Sequence, residues 1–476
     1  MTIIGIDTGG TFTDVAAYEP ESGTITVTKV PSNPARPDAA ILQALDVLDL
    51  PADLVERLVH GTTVATNALL ERRGARLLLI TNEGFRDTLE IGRTRRAEPG
   101  LFNTKATRPP PLVPRTNRFE VRERTLADGS VLQPLDEASV EGVLDAIEAQ
   151  SPDAVVVCLL HSYVNASHER RLKEMIGVRF PEIPVQLSSD LLSEYREYER
   201  LSTAVINAYI LPFMADYLNR LSVQLELQRR RLFVMSSNGG AMTARTAASE
   251  PARTFLSGPT GGVQGAILVG RTVGIENLIT CDMGGTSTDV CFVRDSEAEV
   301  TNETTVAGLP LKLPQLDINT VGAGGGSIAW IDVDGALCVG PQSAGAVPGP
   351  VCYDQGGQVP TVTDASLHLG RLGADSLLAG ELRMSRSLAT TALDQFCGEA
   401  AFDDVDLLAE GIIRLAVAKM VSAIREISVE RGYDPGGAVL MPMGGAGPMY
   451  AADIAGDMGI PRILIPPHPG NMSAIG

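Results

Sequence analysis

The chain has 476 residues and a net charge of −19, from 58 Asp and Glu against 39 Lys and Arg. That balance excludes nonspecific binding to nucleic acid or to anionic membranes, both of which need basic surface. Hydrophobic residues make up 44% and charged residues 20%, a globular composition at roughly two to three times the usual domain length.

No apolar run approaches the roughly 20 residues of a membrane span. The first basic residue is Lys29, so no secretory signal is expected at MTIIGIDTGG. Apolar β-branched runs alternate with amphipathic stretches, which predicts an α/β chain. In chain order, strands are expected at Ile3–Ile6, Leu77–Ile80 and Ala154–Leu160. Between the last two, the Pro- and Arg-rich stretch from Arg93 to Arg118 has no periodicity and reads either as an ordered loop or lid or as a surface excursion. A helix is expected over Leu191–Arg231, with Leu201, Val205, Ala208 and Tyr209 on one side and Pro212 breaking or kinking it. Strands at Leu232–Met235 and Leu278–Cys281 follow. A second long helix should run from about Val405 to Arg431 on Leu408, Ile412, Leu415, Met420, Ile424 and Ile427, stopped by Gly432. A last strand is expected at Ala438–Met443. Six cysteines (158, 281, 291, 338, 352 and 397) show no C-x-x-C pair, which predicts buried, reduced thiols in a cytoplasmic protein.

An internal repeat organises the chain. Residues 7–14 read DTGGTFTD and residues 282–289 read DMGGTSTD, identical at six of eight positions. Each copy sits between two apolar strand-like runs, so the pattern is strand, Gly-Gly-Thr turn, strand, twice over. This predicts a duplicated fold with equivalent loops facing each other. A Gly-Gly turn brings backbone N–H groups to a phosphate with no Cβ in the way. Gly9, Gly10, Thr11 and Thr13 in one copy, with Gly284, Gly285, Thr286 and Thr288 in the other, are therefore candidate phosphate ligands. Asp7 and Asp282, at the ends of the preceding strands, suit Mg²⁺ held through water. A third glycine loop, MGGAGPMY, follows the last strand and offers Gly444, Gly445 and Gly447 to the adenosine of ATP. Two phosphate hairpins and an adenosine loop resemble the layout of the actin, sugar-kinase and heat-shock-ATPase superfamily, a duplicated, two-lobed, ribonuclease-H-like α/β fold. The boundary between the two parts is expected near residue 195, giving 1–195 with the first hairpin and 196–476 with the second hairpin and the adenosine loop.

The sequence as a whole resembles the hydantoinase A, 5-oxoprolinase and acetone carboxylase β-subunit family. The matching stretches include IDTGGTFTDV, HGTTVATNALLERRGAR (60–76), GFRDTLEIGR (84–93), EYREYERLSTAVINAY (194–209), SGPTGG (257–262), CDMGGTSTDV, VGAGGGSIAW (321–330) and GGAGPMYAADIA (444–455). The resemblance implies an ATP- and Mg²⁺-dependent subunit that opens a cyclic amide such as a hydantoin or 5-oxoproline by phosphorylating its oxygen, or that carboxylates a ketone. It also implies a second, hydantoinase B-like subunit in a hetero-oligomer. His60 reads either as a buried, hydrogen-bonded residue or, by the same resemblance, as a catalytic group facing the reacting oxygen, with Thr62, Thr63, Thr66 and Asn67 then orienting the substrate; Asp317 with Gly324–Gly326 reads similarly, as an edge of the cleft or as structure alone. The loops at Ser257–Pro259 and Ser343–Gly349 read as turns without chemistry. Asn319 and Tyr450 stand where members of the family often carry His. Family members also continue beyond PGNMSAIG, so the expectation is ATP binding by this chain with little substrate turnover until a further domain or partner is supplied. From another class, a non-catalytic nucleotide-switched module would need the loops but not the His60 segment.

Overall fold

The computed structural model describes residues 1–10, 12–33, 36–51, 54–94, 105, 109–227, 231–373, 377–378, 382–400 and 402–476. Thr11 of the first repeat and most of the stretch between Arg93 and Arg118 lie outside them. The strands form where β-branched apolar residues run together. β1 (Thr2–Thr8) and β2 (Phe12–Glu19) make an antiparallel hairpin around the first repeat. β3 (Thr24–Pro31) extends it on the β2 side, while β4 (Val55–Thr62) lies parallel to β1 on the other side. β5 (Leu232–Met235) then pairs parallel with β4, so this sheet draws a strand from beyond residue 196.

The second repeat rebuilds the same unit. β6 (Leu278–Met283) and β7 (Thr288–Arg294) form its hairpin, and β8 (Val439–Met443) lies parallel to β6 on the far side. Leu440 of β8 bridges onward to Ile463 in parallel. An antiparallel hairpin flanked by a parallel strand, occurring twice, is the duplicated actin-like α/β arrangement expected from the sequence. A separate all-parallel sheet is made by residues 185–187, 154–157, 77–82 and 118–121. Its two central strands, 77–82 and 154–157, are apolar runs because both of their faces are covered.

Two long helices carry the main cores. α1 (Glu197–Leu227) runs on through Pro212. Buried residues on both sides of the proline, from Leu201 to Ile210 and from Met214 to Leu225, hold the helix on the first core, and this packing outweighs the cost of one lost backbone bond. The helix is apolar enough to pass as a membrane span by composition, and 72% of that apolar window is buried in the protein. α2 (Val405–Ile427) starts where the Asp404 side chain accepts from the backbone N–H of Asp406 and Leu407. A 3₁₀ turn follows, and Gly432 stops the run at φ 83°, where a left-handed residue costs glycine little. All six cysteines are free, and all but Cys338 are buried.

Candidate functional site

The two hairpins close with the same backbone bond. In the first, Gly9 N–H donates to Phe12 O at 3.0 Å; in the second, Gly284 N–H donates to Ser287 O at the same distance. Beyond these bonds the backbone N–H groups of Gly10, Gly285 and Thr286 have no partner among the described residues, and all three residues are exposed. The second turn is backed by the triple glycine. Gly325 N–H donates to Gly284 O and Gly326 N–H to Gly285 O, at 3.0 and 2.7 Å. A Cβ on Gly324 would come within 2.7 Å of the Gly285 and Thr286 backbone. These carbonyls are thus occupied from behind, while the N–H groups stay free.

The register aligns Asp7 with Asp14 and Asp282 with Asp289, side by side at the base of each hairpin. All four carboxyls are raised by burial, and Asp7, Asp282 and Asp289 are raised further by a neighbouring carboxyl. Burial, then Asp14 and Asp282, push Asp7 up to about 8. Burial raises Asp282 to about 6, with Asp14 adding to the rise, and burial with Asp282 raises Asp289 to about 7. Asp14 is raised by burial and held back by Lys29, whose Nζ lies 2.7 Å from its Oδ1. Asp7 Oδ1 is buried with no hydrogen-bond partner among the described residues.

Glycines make room for the two leading carboxyls. A Cβ on Gly258 would stand 2.7 Å from Asp7 Oδ1, and one on Gly61 3.2 Å from the same atom. On the other side, a Cβ on Gly262 would stand 3.2 Å from Asp282 Oδ2, and one on Gly444 would overlap Asp282 Oδ1. Gly258 and Gly262 lie one turn apart on α3 (Ser257–Thr272). The Ser257–Pro259 stretch expected as a turn is therefore the first turn of a helix that touches both Asp7 and Asp282. Ser257 Oγ accepts from Thr62 N–H at 2.9 Å and donates to Thr62 O at 3.0 Å, tying α3 to the end of β4.

The structure sorts the expected site residues. Asp7, Gly9, Gly10, Asp282, Gly284 and Gly285 come together in this cluster, and Gly444 and Gly447 pack under the second hairpin, with Ala446 N–H donating to Met283 O at 3.1 Å. Gly445 has open space around it. Thr63 and Asn67 are tied to the first hairpin, for Thr63 Oγ1 donates to Thr8 O and accepts from Asn67 Nδ2. Thr66 starts none of these contacts and sits half-buried on the same short helix.

Four expectations change. The hydroxyls of Thr13 and Thr288 do not face the turns: both residues are fully buried. Thr13 bonds Ser32, which donates to Gly9 O, and Thr288 donates to Ala323 O. Alternation along a strand puts Asp14 and Asp289 on the cleft side instead, and these two carboxylates, with Lys29, were missed by the sequence reading. His60 points from β4 into the first core, fully buried, with Nε2 2.6 Å from the Tyr217 hydroxyl of α1. Burial pushes it down to about 4, so it is neutral at ordinary pH. Asp317 stands apart, ion-paired with Arg431. Asn319 donates to Ala423 O and Glu426 of α2, and Tyr450 is buried against Ser366; both fill structural places.

The cluster fits a hydrated divalent cation. It gathers four carboxyls, one with an orphaned buried oxygen, against one lysine. Among the described residues no three acidic, His or Cys side chains converge closely enough to hold a bare ion. The raised acids bind protons when folded that they release when unfolded, so stability falls as pH rises through their range. Between pH 4 and 6.5 His60 works in the opposite sense, its depressed value favouring the fold as pH rises. Above 6.5 only the acids remain. The metal-free protein should therefore melt at progressively lower temperature from pH 6.5 to 8.5; a flat or rising melting temperature there would contradict the charge assignment.

Two family models match the chain: the hydantoinase/oxoprolinase N-terminal region over residues 3–179 and hydantoinase/oxoprolinase over residues 200–476. Caprolactamase subunit alpha of Pseudomonas jessenii is 38% identical over 99% of this chain and 69% of its own length. The crystal structure of that organism's ATP-dependent caprolactamase superposes with a TM-score of 0.88 at 36% identity, over 99% of this chain and 70% of that one. 5-Oxoprolinase 1 of Arabidopsis thaliana is 34% identical over 99% of this chain and 40% of its own length. A nucleotide-free acetone carboxylase structure superposes with a TM-score of 0.86 at 29% identity, over 100% of this chain and 70% of that one.

Proposed function

Because this chain belongs to the hydantoinase/oxoprolinase family, we propose that it is an ATP-dependent hydrolase subunit that opens a cyclic amide by phosphorylating the amide oxygen. The observation that carries this reading is the pair of matching Gly-Gly hairpins, each with a free N–H at its tip and two carboxyls at its base. The N–H groups of Gly10, Gly285 and Thr286 bind phosphate oxygens, and Thr11 adds to the first turn. Gly444, Gly445 and Gly447 adjoin the adenosine. Asp7, Asp14, Asp282 and Asp289 would hold a hydrated Mg²⁺, which would supply charge to offset the transferring phosphoryl group. Transfer of the γ-phosphoryl group to the amide oxygen releases ADP and makes the amide carbon electrophilic; water adds there, the ring nitrogen takes a proton and leaves to give an open-chain acyl phosphate, and a second water releases phosphate and the amino acid. Thr63 and Asn67 brace the first hairpin. His60, held by Tyr217, fixes β4 from the core side and exchanges no proton with substrate.

A second reading, an ATP-dependent carboxylase subunit, is favoured by the likeness to acetone carboxylase, since activation by ATP is common to both. ATP turnover dependent on a lactam without bicarbonate supports the hydrolase; dependence on ketone and bicarbonate supports the carboxylase. Relatives named as alpha, beta and gamma subunits support a hetero-oligomer, for which a hydantoinase B-like partner is proposed. The six free thiols fit a reducing compartment such as the cytoplasm.

Binding to the folded state alone stabilises by linkage, so Mg²⁺·ATP at a hundredfold excess over its dissociation constant should add about 2.7 kcal/mol. A thermal shift with Mg²⁺·ATP and none with NAD or FAD is the expected result. A shift with the dinucleotides and none with ATP would sink the phosphate-clamp reading.

A further inference from the structure

The segment His468–Gly476 touches all three loops of the proposed nucleotide site. Asn471 Nδ2 donates to Asp14 Oδ1 at 2.8 Å, at the first hairpin. Ser473 Oγ donates to Asp282 Oδ2 at 3.3 Å, at the second. Gly444 N–H, in the third loop, donates to Pro469 O at 2.9 Å. No other stretch among the described residues hydrogen-bonds by side chain to a leading or trailing carboxyl in both repeats.

A slot of glycines seats this segment backbone against backbone. A Cβ on Gly5, two residues before Asp7, would overlap Ala474 O; one on Gly261 would overlap Ser473 O, and one on Gly265 would come 2.8 Å from Met472 O. Gly5 lies on β1 of the first sheet, and Gly261 and Gly265 on α3, so the segment is wedged between both. Glycines on both sides allow an approach that any side chain would block. The donors aimed at Asp14 and Asp282 are consequently fixed by packing rather than by side-chain choice alone.

We infer that residues 468–476 form a strap across the two hairpins, in which Asn471 and Ser473 are positioning residues that orient Asp14 and Asp282 for Mg²⁺-bound nucleotide. This rests on the reading of the hairpins as an ATP site. Each donor occupies one carboxylate oxygen and leaves the other for the hydrated metal. Partners of this kind behind metal-facing carboxylates tune affinity although they do not touch the ion.

The test uses the full chain at fixed, saturating ATP and reads the Mg²⁺ concentration that gives half of the thermal stabilisation. Asn471→Ala and Ser473→Ala should each raise this midpoint about tenfold or more, while Ser473→Thr, which keeps the hydroxyl, stays within about threefold of wild type. The melting temperature of the nucleotide-free variants and their shift with metal-free ATP should match wild type, which a merely structural strap would not allow. Asn471→Ser, a milder truncation, carries the same expectation should an alanine variant fail to fold. Unchanged Mg²⁺ midpoints beside a normal wild-type response overturn the strap alone. An equal loss with and without metal also overturns it. A wild-type chain that Mg²⁺·ATP does not stabilise overturns both the strap and the hairpin reading.

Discussion

Asp7→Asn and Asp282→Asn should each reduce ATP turnover by about 10²-fold or more and make the nucleotide-free protein more stable. The loss follows from removing charge that faces the metal and the phosphates. The gain follows from the same feature. Asp7 is pushed to about 8 and Asp282 to about 6 by burial among like charges, so at pH 8 the folded state carries ionised groups that it disfavours. Asn keeps the shape and removes the charge. For Asp7 the gain at pH 8 should exceed about 1 kcal/mol, roughly 2–4 °C in melting temperature, and should shrink towards pH 6. The fall in stability between pH 6.5 and 8.5 should flatten in the same variant. Differential scanning calorimetry across pH, beside ATP turnover, checks both halves. A variant that keeps its turnover, or that melts lower at pH 8, would show that the carboxylate serves the fold and not the site.

Gly444→Ala should be the most damaging single change in the third loop. Gly444 sits at φ 78°, where a Cβ costs about 1–2 kcal/mol. That Cβ would overlap both Asp282 Oδ1 and the Met283 carbonyl. The carbonyl is backbone of β6 and cannot move aside, so overpacking adds about 1–3 kcal/mol. Relief through the side chain would swing Asp282 off its Ser473 bond. Gly445, one residue on, has nothing within 4 Å of its Cβ position, so Gly445→Ala should leave stability within about 0.5 kcal/mol. Chemical denaturation of the pair gives the contrast. Equal stability would mean that the loop yields freely and does not brace Asp282.

The fold was legible where composition and period agree. The apolar runs at Leu77–Ile80 and Leu232–Met235 became strands because β-branched and aliphatic residues had no competing pattern, and the repeated octapeptide marked the two hairpins without ambiguity. Finer assignments failed where they required counting faces. With the turn closing Thr8 against Thr13, residues 7 and 14 share a face and residue 13 turns inward, so the trailing aspartates could have been chosen from the repeat itself. The same count separates His60 from Gly61: Gly61 pairs with Asp7, and His60 follows Ile6 into the core. α3 was not legible, since SGPTGGVQG has the composition of a loop. Its glycines are there because Asp7, Asp282 and the 472–474 backbone press against that helix face, a tertiary requirement that overrides propensity. Pro212 misled for the same reason, as packing on both sides carries α1 through it.

The two hairpins are expected to grip one nucleotide between them. Determining the structure of the chain with Mg²⁺ and a non-hydrolysable ATP analogue tests it most directly. Phosphate density is expected between Gly9–Gly10 and Gly284–Gly285, with a hydrated metal facing Asp7 and Asp282. A nucleotide bound elsewhere, or touching only one hairpin, would contradict it.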